Sequence, residues 1–89
     1  MPWSDEQNQF QKTLVDFLRI ESQAALTFLR TAAIDTRIDL RHAKVLVKKA
    51  RAALRVIRRF AVRVEDQAWR GEIDTLADQL TVAINAFSN

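Results

Sequence analysis

The sequence predicts an all-α fold, and three observations predict it: almost no helix breakers, apolar residues recurring at three- and four-residue steps, and a helix-start signature near residue 4. One Gly and one Pro occur in 89 residues, and residues 3 to 70 contain neither, so the usual punctuation of turns and strands is missing. With 48% hydrophobic and 28% charged side chains, the chain is too short for two cores and too apolar for disorder. A single helical-bundle domain over residues 1 to 89 is expected.

Ser4 followed by Gln7 reads as a capping box, and acidic Asp5 and Glu6 suit the positive end of a helix dipole. The first helix is expected over about 4–33, with Trp3 packed over its start. Its apolar positions are Phe10, Leu14, Phe17, Leu18, Ala25, Phe28, Leu29 and Ala32, read as one amphipathic face. Asp35 and Thr36, with Asp39 three residues beyond Thr36, form the next cap-like cluster, so a turn is expected near 33–36.

The second helix, about 36–64, has an unusually regular seam. Leu40, Ala43, Val47, Ala50, Leu54, Ile57, Ala61 and Val64 alternate steps of three and four, and several are small enough for close helix approach. Leu46, Ala53, Val56 and Phe60 widen the apolar arc to roughly 200° at 100° per residue. A helix so apolar has to be covered on two sides, which makes it the central one. Gly71 is the best stop signal, and Trp69, Ile73, Leu76, Leu80, Ala83, Ile84 and Phe87 form a third run in a shifted register. The third helix is therefore expected over about 72–88, with Trp69 in the core and Gly71 as terminator. The simplest assembly is an antiparallel three-helix bundle. The alternative fuses the first two helices into one, because no Gly or Pro divides them. Three short helices bury a modest core, so dimerisation through the wide arc of helix two would complete it. A homo-oligomer or a protein partner is expected on that ground.

Charge is the most uneven property of the chain. Residues 1 to 33 carry a net −1, residues 34 to 63 a net +8 and residues 64 to 89 a net −4, within an overall +3. From Arg41 to Arg59 there are eight Lys or Arg and no acid. Arg37, Arg41, Lys44, Lys48, Arg51, Arg55 and Arg58 follow helical steps and so share one face over roughly 30 Å. Two readings follow. In one, the bundle's own acids neutralise the stripe: a hairpin about residue 34 brings Glu21 to Lys48, and a second about residue 68 brings Asp74 and Asp78 to Arg58 and Arg55. In the other, a surplus of positive charge stays exposed and takes a polyanion, polyphosphate or non-specifically bound nucleic acid, through counterion release. Most of these cations are Arg, which pairs phosphate oxygens bidentately. No aromatic is interleaved with them, which argues against base stacking, and a mostly apolar helix is a poor major-groove reader.

The pattern Arg41-x-x-Lys44-Val45-x-x-Lys48-Lys49-x-Arg51-x-x-Leu54-Arg55-x-Ile57-Arg58 resembles the basic helix of the CHAD family, the conserved-histidine α-helical domains associated with inorganic polyphosphate. The family's His at the head of this helix falls on Arg41, with His42 one residue later, and three usual Arg positions are Lys. Trp69-Arg70 and Leu76-Ala77-Asp78-Gln79-Leu80 are similar to the helix that follows. The family's Leu-Gly-x-x-Arg-Asp motif would fall on Leu80-Thr81-x-x-Ile84-Asn85, without its functional residues. The resemblance covers about half the chain, and a family domain is at least twice as long, with two bundles. It implies phosphate-chain binding by Arg41, Lys44, Lys48, Lys49, Arg51, Arg55 and Arg58, and no enzymatic activity.

Catalytic signatures are missing. There is no Cys, which removes disulfides, thiolate metal sites and Cys nucleophiles and is compatible with a reducing cytoplasm. Ser4, Ser22 and Ser88 lack a nucleophile-elbow context, and one Gly cannot build a phosphate loop. Asp39-x-x-His42 has metal-ligand spacing, but Glu21 is the only further candidate, too few for a bundle metal site; His42 reads as a helix-edge side chain. No cofactor is expected. Trp69-Arg70-Gly71 matches a WxG tripeptide but sits too late in the chain for a hairpin centre. Apolar runs are too short for a membrane span or secretory segment, so a soluble, cytoplasmic protein is expected.

Overall fold

The computed structural model describes residues 4–87, with side chains from Glu6 onward; the Ser4–Gln7 capping box, the packing of Trp3 and Ser88 lie outside what it describes. Three helices follow one another: α1 (Ser4–Asp35), α2 (Leu40–Ala61) and α3 (Gln67–Asn85). The chain turns back between each pair, giving an antiparallel bundle of 56 × 17 × 15 Å. There is no strand among the described residues. The fused-helix alternative is not what forms.

The helix limits differ from the expected ones for local reasons. Asp35 and Thr36 do not cap α2. Asp35 ends α1, Thr36 donates its hydroxyl to the Ala32 carbonyl, and Asp39 is the N-cap. The Asp39 carboxylate accepts from the backbone N–H groups of Arg41 and His42 at 3.1 and 3.2 Å, satisfying two donors that a helix start otherwise leaves unpaired. The turn thus lies at 36–39. At the second connection, Asp66 accepts from the Trp69 N–H at 2.9 Å and starts α3 five residues earlier than Gly71 suggested. Gly71 is not a terminator: it lies inside α3, without positive φ and with open space where a Cβ would stand.

All three helices pack on one another, α1 against α2 most extensively. Most of the arc of α2 is covered within the chain, where Ala43, Leu46, Val47, Ala50, Ala53, Ile57 and Ala61 are buried and Leu54, Val56 and Phe60 partly so; Leu40, at the head of the expected seam, is 53% exposed because it opens the helix beyond the reach of the core. Ala25 and Ala32 of α1 and Ala50 of α2 are completely inaccessible, and such small side chains let the two axes approach closely. Leu18, Ile57, Ile73 and Leu80 fill the centre, each contributing about 1.5–3 kcal/mol by leaving water. Ser22 is buried as well, its hydroxyl donating to the Leu18 carbonyl at 2.8 Å. Trp69 and Phe28 pack partly buried against this core.

Gln11 fastens the far end. Its amide donates to the Arg63 carbonyl at 3.0 Å and accepts from the Glu65 N–H at 2.9 Å, so one side chain of α1 holds both sides of the α2–α3 connection. α1 does not present the single apolar face expected of it. Phe10 and Phe17, counted on it, are exposed, because the arc that includes them is wider than the seam α2 and α3 cover. None of the described helices is long and apolar enough to cross a membrane.

Candidate functional site: the basic face of α2

The eight candidate cations are all exposed. Six of them, Arg41, Lys44, Lys48, Arg51, Arg55 and Arg58, share one side of α2 over about 26 Å at 1.5 Å per residue. The apolar seam turns the opposite side of the helix into the core, so the cations have only the solvent arc left. Arg37 lies in the turn before α2, its N–H bonded to the Ile34 carbonyl at 3.2 Å, rather than on the helix. Lys49 stands about 160° around the helix from Arg51 at 100° per residue. Its ammonium sits 5.9 Å from the centre of the Phe28 ring of α1, a cation–π contact on the other flank.

The acids of the bundle decide how much of this face is neutralised. Glu72 forms two hydrogen bonds to Arg19 of α1, at 2.5 and 2.8 Å. The Arg19 hydrogen bonds hold its carboxyl below the usual carboxylate value, against a smaller opposing effect of desolvation, and Arg19 is correspondingly raised. Asp74 pairs with Arg70 of its own helix at 3.2 Å. Only Asp78 among the α3 carboxylates meets the stripe, 3.3 Å from Arg58, which also donates to the Thr81 hydroxyl at 2.9 Å. Asp78 reaches Arg58 as expected in kind, whereas the pairings of Asp74 with the stripe and of Glu21 with Lys48 do not form. The turn at 36–39 lies some three residues beyond the expected one, which slides α2 along α1 and takes Lys48 out of register with Glu21.

Asp35 is paired with the His42 ring across the first turn. With Asp39 engaged as a cap, the Asp39–His42 spacing holds no metal constellation, and no group of three potential ligands exists among the described residues. A groove of about 530 Å³ runs beside the stripe over the N-terminal half of α2. Leu40, Val47 and Phe87 are among its apolar walls, and Lys44, Lys48 and Arg51 line its edge. At the other end, Arg63 and Arg59 lie 5.1 and 5.9 Å from the Phe60 ring centre. These two cations extend the basic face beyond the residues singled out from the sequence; the four-residue steps Arg55, Arg59, Arg63 were the signal for them.

The fold and this face define a small, basic, all-α bundle. Compared with known protein families, curated proteins and solved structures, the chain matches none.

Proposed function

We propose that this chain is a non-enzymatic module that binds a polyanion, inorganic polyphosphate or another phosphate-rich polymer, along the exposed face of α2. The observation that carries the reading is the disposition of the acids. Glu72 and Asp74 are engaged by Arg19 and Arg70, so Arg41, Lys44, Lys48 and Arg55 stay in solvent on one line. A row of like charges on a rigid helix lowers the cost of gathering them around a ligand, because the core has already fixed their spacing. Each phosphate neutralised releases condensed counterions, so affinity comes without sequence reading and falls steeply with salt. The spacing shared with the CHAD basic helix supports the same ligand class, and the lack of aromatics between Phe28 and Phe60 disfavours base stacking as the binding mode. A cytoplasmic location fits both this ligand and the absence of Cys.

Titration with long-chain polyphosphate at increasing salt tests the proposal. Binding at low salt should weaken linearly in a double-logarithmic plot, and Lys48→Glu with Arg55→Glu should reduce affinity by at least about tenfold, since two attractive contacts become repulsive. Absence of binding to polyphosphate and to heparin at low salt would overturn it.

A further inference from the structure

The side of α1 turned away from the bundle carries a second periodic row. Phe10, Phe17, Ile20 and Ile34 are 56, 41, 64 and 63% exposed. Thr13, Ala24, Thr27 and Thr31 occupy the steps between them, so that from residue 10 to residue 34 the row advances by strictly alternating three and four. No charged residue belongs to it. The Thr27 hydroxyl donates to the Gln23 carbonyl at 3.0 Å, so its polar atom is engaged by its own helix. At 100° per residue the row points roughly 145° away from the buried seam of α1, and it is about 36 Å long. Alternating steps of three and four hold the row to the narrow line that a second helix can cover, and four of its eight members are large apolar side chains in solvent.

We infer that this face pairs α1 with α1 of a second copy, antiparallel, about a two-fold axis near residues 22 and 23. The row is self-complementary in that arrangement. Phe17 faces Thr27 of the second copy and Ile20 faces Ala24, a large side chain against a small one in each central layer. Thr13 meets Thr31, and Phe10 with Ile34 closes each end. Along one flank Asp16 comes beside Arg30 of the second copy, twice by symmetry, and Gln23 meets itself. Asp16 already bonds Arg19 at 3.1 Å through one oxygen and has the other to offer. On the opposite flank Glu21 meets its own copy, one like-charge contact against two attractive ones. A parallel pairing is less favourable: it sets Asp16 beside Glu21 twice, and its two Arg30–Asp35 contacts call on a carboxylate that His42 holds. The row offers ~360 Å² per copy if taken as ~10 Å wide, under half of the ~800 Å² a standard interface buries on each partner. Association is therefore weak and concentration-dependent. It is independent of the polyanion reading, because the row and the basic face occupy different helices.

Sedimentation equilibrium of the full chain, from micromolar to near-millimolar concentration and without polyanion, tests the inference. A monomer–dimer equilibrium is expected, and Ile20→Glu, at an exposed site, should weaken it at least about tenfold with helical circular dichroism unchanged. Because the chain has no Cys, single introduced thiols report the geometry. A short bismaleimide should link Gln23→Cys copies and leave Thr31→Cys copies unlinked, since antiparallel pairing holds the two residues 31 about 27 Å apart along the axis. A monomer at every concentration, an unchanged equilibrium in Ile20→Glu, or linking of Thr31→Cys instead of Gln23→Cys would overturn it.

Discussion

The two connections of this bundle are built on opposite plans. Residues 36–39 are held by neighbours in sequence: Asp39 caps α2, Thr36 bonds back to Ala32, and Asp35 reaches His42. Residues 62–66 are held partly from afar, through Gln11, more than fifty positions earlier in the chain. The first connection can form as soon as α1 and α2 exist, whereas the second is complete only when α1 is already in place. Local contacts cost little loop entropy and distant ones cost more. The α1–α2 connection, beside which the basic face lies, is thus closed from within, while the α2–α3 connection is closed through α1.

The largest test of that contrast is Gln11→Ala. It strips the Arg63 carbonyl and the Glu65 N–H of their partner in a partly buried setting, at about 1–3 kcal/mol for each group left unsatisfied. In chemical denaturation it should destabilise the protein more than any cap removal. Asp39→Ala comes next, at about 1 kcal/mol for a lost N-cap, read as a lower denaturation midpoint with an unchanged slope. Gly71→Ala sharpens the comparison from the other side. The added methyl meets nothing within 4 Å and removes the Gly penalty from the start of α3, so stability should rise by up to about 1 kcal/mol. The smallest effect is that of acid. The Glu72 carboxyl is lowered in the folded state by Arg19, so the unfolded chain binds the proton more readily. The contribution of this pair is present above the unfolded carboxylate value and fades as pH falls through the lower folded one. Glu72→Gln should lower the neutral plateau of a stability–pH curve slightly, leave its acid end in place, and so flatten that limb by the same small amount.

Most of the fold was legible because hydrophobic period is a property of composition along the chain. Ala43, Val47, Ala50, Ile57 and Ala61 of the α2 seam are buried as their spacing required, with Leu54 partly so and Leu40 exposed, and Ile73, Leu80 and Ile84 of α3 are buried likewise. Boundaries were less legible, since without Gly or Pro the choice among Asp35, Thr36 and Asp39 as cap depends on which carboxylate lands over free N–H groups. Gly71 misled for the converse reason: a single Gly is tolerable within a helix whose other residues are packed. The basic face could be read from its steps, but its degree of neutralisation could not, because that depends on where the turn falls within three residues. The outer row of α1 was hidden by mixture. By spacing alone Phe10 and Phe17 fall on one face with Leu14 and Leu18, and only burial separates the two.

That separation restricts how the length of α1 can change. Its sequence is read in two registers at once, an inner seam that meets α2 and α3 and an outer row that meets solvent. Inserting one residue in its middle would turn everything beyond by about 100° and exchange core positions for surface ones. Insertion of seven, two turns, leaves a residual rotation of about 20° and is the shortest increment to return both registers near their places. Length variation tolerated within this helix is therefore expected to come in whole heptads, unlike variation in the connections, where no such quantum applies.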